Sequence, residues 1–157
     1  ELLSTLLTLE GPDAIAVAVL ASVIGRSLDR VADHAAIIGA RVRYLVSGVA
    51  QRMLVPGAGT LATFPAGTLV VNVTGSLLIG LLAGLAESRA VFGPEVRLLL
   101  VTGFLGGYTT FSAFSLETLL LLRAGQTATA FAAVGLQVLL GVAAAWAGFA
   151  LAVGRPA

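Results

Sequence analysis

The sequence predicts an all-α membrane protein with four transmembrane helices, the third broken at mid-membrane. Composition is the first reason. Of 157 residues, 58% are hydrophobic and only 11% charged, against about 25% charged in a soluble domain, and mean hydropathy is +1.02. The second is an uncharged run over 67–86, since about 20 apolar residues cross a bilayer as a helix. The third is 103–117, which carries three glycines, Thr and Ser hydroxyls, a tyrosine and a carboxylate inside an otherwise apolar stretch. Irregular backbone at membrane depth survives only where protein or a cavity covers it.

The same composition excludes several functions. The basic residues are nine arginines with no lysine, and net charge is +1, so no nucleic-acid surface is indicated. There is no cysteine, which removes disulfides, thiolate metal sites and cysteine nucleophiles. The single His34 cannot build a metal site. No nucleophile–base pair, carboxylate pair or metal cluster supports an enzyme. At this length the chain makes one membrane domain, assigned to 31–157, with 1–30 as an N-terminal segment.

Residues 1–13 lack a basic region and a cleavage site, so no signal peptide is expected; a short interfacial helix or a disordered end is. The apolar run 14–25 is too short to span and is expected to be a separate helical segment. A polar stretch from Arg26 to His34 follows. Helix 1 is expected over 31–50, interrupted by this stretch relative to an ordinary span. Arg41 and Arg43 belong near a membrane face or an aqueous vestibule, because a central arginine is expensive.

A loop is expected over 51–66, with Pro65 just ahead of helix 2. Helix 2 is expected over 67–86. Thr68, Asn72 and Ser76 recur at i, i+4 and i+8 and share one face, and Gly80 and Gly84 allow a neighbouring helix to come close. A polar link over 87–96 leads to helix 3, expected over 96–122 and broken between Gly106 and Thr110, with a restart at Phe111. Gly106 and Gly107 supply backbone freedom there. Gly125 is a good stop signal, and helix 4 is expected over 127–153, with Gln137 and Trp146 on it.

A broken membrane helix exposes carbonyls and amides that can hold ions. Gly103-Phe104-Leu105-Gly106-Gly107-Tyr108-Thr109-Thr110-Phe111-Ser112-Ala113-Phe114-Ser115-Leu116-Glu117 resembles the signature of the fluoride channel family (Fluc, or CrcB), G-F-x-G-G-x-T-T-F-S-x-F-S-x-E. A second pattern of that family, F-P-x-G-T-L-x-V-N-x-x-G-S, is matched by Phe64 to Ser76. The resemblance covers roughly 40–153. Ala113 stands where a threonine is usual, and Gln137 and Gly141 stand where serines are common.

The resemblance implies a passive fluoride channel in the plasma (inner) membrane, built as an antiparallel dual-topology homodimer in contact with lipid, with a structural sodium ion on its two-fold axis. Residue by residue it implies a pore formed by Asn72, Phe111, Ser112, Phe114, Ser115 and Glu117, a vestibule arginine at Arg43, and sodium held by the backbone carbonyls of Gly106 and Thr109. Neutral donors and ring edges suit fluoride, because conduction needs sites weak enough to leave. Two other readings compete. A small dual-topology multidrug exporter needs an early intramembrane carboxylate, yet Glu117 comes late. A membrane scaffold leaves the broken third helix without a purpose.

Overall fold

The computed structural model describes residues 12–56, 64–89 and 92–154. Its described secondary structure is all helix: α1 (Pro12–Leu54), α2 (Ala66–Arg89), α3 (94–108), α4 (Phe111–Arg123) and α5 (Thr127–Val153). Elements α3 and α4 are the two halves of one span, Pro94–Arg123. Three spans, Ala66–Ser88, Pro94–Arg123 and Thr127–Val153, are long and apolar enough to cross a membrane. The expected N-terminal stretch falls outside the described residues up to position 11, as does part of the expected loop at 57–63.

Helix α1 corrects the expectation of two separate pieces. It runs unbroken for 43 residues, about 65 Å at 1.5 Å per residue and roughly twice the ~30 Å hydrocarbon thickness. The polar stretch interrupts the apolar pattern but contains nothing that breaks a helix. It has no proline, and Arg26/Asp29 and Arg30/Asp33 sit three apart, a spacing that supports a helix. Ser27 Oγ donates to Val23 O at 2.8 Å and His34 Nδ1–H to Arg30 O at 2.6 Å, both within the helix. The part packed on the rest of the molecule begins at Leu28, Val31 and Ala32, beside Glu95, Val96 and Leu98. It ends at Gln51, whose amide donates to Phe64 O and accepts from Gly67 N–H. That stretch alone covers about 36 Å, so α1 extends well past it at its N-terminal end.

Small residues set the spacing of the bundle. A Cβ on Gly39 would run into the Phe104 carbonyl and one on Gly107 into the Ala36 carbonyl, so α1 and α3 touch backbone to backbone. Gly80 and Gly148 do the same for α2 and α5. Such close approach drives association in lipid, where no hydrophobic force acts between helices. The small core holds Val71, Leu105 and Tyr108, with Val42, Val46, Leu82 and Phe104 against it. Helix α4 ends in a left-handed Gly125 at φ 74°. Gln126 N–H bonds to Leu121 O and Gly125 N–H to Leu122 O, the paired closure of a Schellman motif.

Candidate ion pathway at the broken third span

The site is the junction of α3 and α4. Residues Leu98–Leu105 of α3 form a π-helix, a rare, wide form that is frequent at functional sites. The break lies at the two threonines, not at the glycines. Gly106 keeps ordinary helical angles (φ −61°, ψ −37°), whereas Thr109 (φ −81°, ψ 159°) and Thr110 (φ −151°, ψ 112°) are extended. Thr109 closes α3: its N–H and its hydroxyl both donate to Leu105 O at 2.9 Å. Thr110 opens α4 as its N-cap, with Oγ1 accepting from Ala113 N–H at 3.2 Å. Such a cap satisfies one of the free donors at a helix start.

Asn72 holds the break in place. Its Oδ1 accepts from Thr110 N–H at 2.8 Å and its Nδ2 donates to Thr110 O at 3.1 Å. The carboxamide therefore pairs both polar groups of one unwound residue, as a neighbouring peptide would, and retains a second N–H. Gly75, one turn on, leaves room for Thr109, whose methyl a Cβ there would strike.

Carbonyls of the last turn of α3 are released as a result, those of Gly106 and Thr109 among them. In an unbroken helix Thr110 N–H would bond to Gly106 O and Ala113 N–H to Thr109 O. These donors go instead to Asn72 Oδ1 and Thr110 Oγ1.

The residues expected to line a pore, Ser115 excepted, fall into two open-sided cavities that share Thr110. The first, about 410 Å³, takes in Asn72, Phe111, Phe114, Thr109 and Gly106, together with Ser76 and Gln137 from α2 and α5. The second, also about 410 Å³, takes in Arg43, Ser112 and Glu117 with Tyr44, Ser47 and Thr68. The rings of Phe111 and Phe114 lie 5.6 Å apart, tilted by 52°, and Phe111 is 79% exposed, so most of its ring is left uncovered by its own chain. Glu117 Oε1 accepts from Thr68 Oγ1 at 2.8 Å, while Oε2 is buried with no hydrogen-bond partner among the described residues. Ser115 lines neither cavity and donates to Phe111 O at 2.9 Å. Sequence reasoning did not assign Thr110 or Gln51. The N-cap position of Thr110 just before α4 was the available signal; Gln51 had none.

The first cavity is lined by no ionisable residue; the second holds one arginine and one carboxylate. Such a path can hand a small ion between neutral donors with a positive group near one mouth.

Comparison with known proteins identifies the family. A family model described as "CrcB-like protein, Camphor Resistance (CrcB)" matches residues 32–149. A protein of Methylobacillus flagellatus named "Fluoride-specific ion channel FluC" is 43% identical over 114 residues, 73% of this chain and 85% of the relative. Proteins of the same name from Rhizobium meliloti (47% over 114 residues, 73% and 86%) and Pseudomonas syringae pv. tomato (45% over 112 residues, 68% and 90%) are similarly close. With three quarters of its length matched, including the whole of the broken span and the Asn72 clamp, the chain belongs to the CrcB-like family.

Proposed function

We infer that the protein is a passive fluoride-selective channel of the plasma membrane that lets fluoride leave the cytoplasm and so relieves its toxicity; it is not an enzyme. One observation carries this beyond the relatives' names. Two cavities meet at a single unwound residue, Thr110, and the one bearing the phenylalanine pair presents only neutral groups. Fluoride leaves its water where donors replace the hydration shell, and it moves on only if none binds too tightly. Asn72 N–H, hydroxyls and the positive edges of Phe111 and Phe114 meet both conditions. Ser112 and Glu117 continue the path, Ser115 flanks it, and Arg43 raises the local anion concentration at the mouth.

Three features support a pair of chains. Both cavities are open-sided, most of the Phe111 ring is uncovered, and Ser112 and Ser115 are exposed on a membrane helix. A second copy, inserted antiparallel, would close the pathway on both sides. The freed carbonyls of Gly106 and Thr109 suit a structural sodium ion, since unwound carbonyls in membrane helices hold such cations. Two carbonyls from each of two chains make an oxygen cage that one chain lacks. The test is fluoride efflux from liposomes holding the purified protein. Flux of fluoride far above chloride is expected; its absence overturns the reading.

A further inference from the structure

The bundle leaves the first half of α1 without a protein neighbour. Leu28, Val31 and Ala32 lie against Glu95, Val96 and Leu98, at the start of the third span. Arg26, Asp29, Arg30 and Asp33 therefore stand at the membrane face. At ~100° per residue these four share one side of the helix, turned away from Leu28, Val31 and Ala32, and all four are exposed. Beyond Gly25 that same side carries Ile15 and Val19, and positions 14–25 hold no charge at all. Ile15, Val17, Val19, Leu20, Val23 and Ile24 are 41% to 72% exposed. A straight rod would be charged where it leaves the bilayer and apolar farther out in water, the reverse of what hydration favours. Two observations mark where the helix can turn. A Cβ on Gly25 would meet nothing within 4 Å, so this glycine serves no close contact, and a glycine weakens a helix interior. Across it Ser27 Oγ donates to Val23 O at 2.8 Å, a back-bond that loosens helices and often bends them.

We propose that α1 bends at Gly25 and that residues 12–24 dock on the bilayer surface as an interfacial helix. The large side chains gather on one side, Val19, Leu20 and Val23 among them, and enter the acyl chains. Ala18, Ala21 and Ser22 lie opposite and face the headgroups. Lipid is the partner because no side of the stretch is charged, and because the bilayer is the apolar phase that the spans already meet. It lies within the ~20 Å that thirteen helical residues cover. A helix of this kind rests in the interface plane with its apolar side buried. The bend keeps Arg26 and Arg30 among the headgroups, where arginines fix the depth and tilt of a span. The stretch precedes residue 32, where the match to the CrcB-like family begins, so this anchor is an addition to the channel bundle.

The chain has no native cysteine, so single nitroxide labels test this in the whole protein. The variants are Ile15→Cys, Val19→Cys, Val23→Cys, Ala18→Cys and Asp29→Cys, all at exposed positions, in vesicles of phosphatidylcholine and phosphatidylglycerol. Each label's collisions with oxygen, which concentrates in lipid, are compared with those of a water-soluble nickel chelate. Oxygen should exceed nickel several-fold at Ile15, Val19 and Val23, to the same extent at all three, because a helix lying flat holds one depth. The label at Ala18 should sit shallower, and the one at Asp29 should meet nickel more than oxygen. Nickel access that climbs from Val23 to Ile15 marks a straight rod leaving the membrane and overturns the proposal. So does low access to both reagents at Val19 and Val23, which marks a protein cover; dipolar broadening between labels would then identify that cover as a second copy. No step of the test involves fluoride, so its outcome is separate from that of the channel reading.

Discussion

Asn72 and Phe111 separate two ways in which one residue can stop conduction. Asn72 satisfies both backbone groups of Thr110. In Asn72→Ala the Thr110 N–H and C=O lose their partners inside the membrane, where an orphaned group costs about 1–3 kcal/mol. This variant should lose fluoride flux and also melt several degrees lower in detergent. Phe111 is 79% exposed and only tilts against Phe114, so Phe111→Ile should abolish flux with an unchanged melting temperature. Equal melting temperatures for the two variants would show that Asn72 does not hold the break. The second cavity adds a further expectation. Thr68→Val keeps the volume but removes the hydrogen bond to Glu117, leaving both carboxyl oxygens without a partner among the described residues. Flux in that variant should fall, and unchanged flux would mean that ions pass without meeting Glu117.

Among the elements, glycines show where space and where conformation matter. Gly39→Ala would push a methyl into the Phe104 carbonyl across the α1–α3 contact and should destabilise the protein by about 1–3 kcal/mol, as overpacking does. Gly25→Ala meets nothing within 4 Å and should stabilise α1 locally by about 1 kcal/mol, read as slower amide exchange over 15–25. The same contrast explains what could be read from sequence. Helix α5 was legible to both ends because an uninterrupted apolar run starts after Gly125, a residue that only a turn of positive φ required. The broken span was legible as a region, since lipid penalises its composition. The residue that breaks it was not. Gly106 and Gly107 attract attention as flexible, yet Gly106 keeps helical angles, Gly107 serves close packing, and the unwinding is stabilised by Asn72, 38 positions away. Helix α1 was misread because hydropathy was taken to mark its ends. Charged residues at helix-compatible spacing change what surrounds a helix without ending it. Nothing in Leu98–Leu105 announces a π-helix.

At the scale of the whole molecule, the continuous α1 changes the balance of charge across the membrane. Leu28 and Val31 pack beside Glu95 and Val96, so Arg26 and Arg30 stand at the same end as Arg89 and Arg97. Arg52 and Arg123 stand at the other. Orientation follows arginine and lysine near the ends of spans, with little weight from acids. The end bearing Arg26 is therefore favoured in the cytoplasm, by a bias that Arg41 and Arg43, nearer the other end, keep small. An antiparallel homodimer needs chains of both orientations. Because the protein has no native cysteine, single variants report this cleanly: Glu87→Cys marks one end and Ala124→Cys the other. In intact cells a membrane-impermeant thiol reagent should label a fraction of each, with Ala124→Cys labelled more. Labelling of Ala124→Cys alone would mean one orientation only. A homodimer could not then be antiparallel, and the open sides of both cavities would have to be closed by a different, oppositely inserted chain.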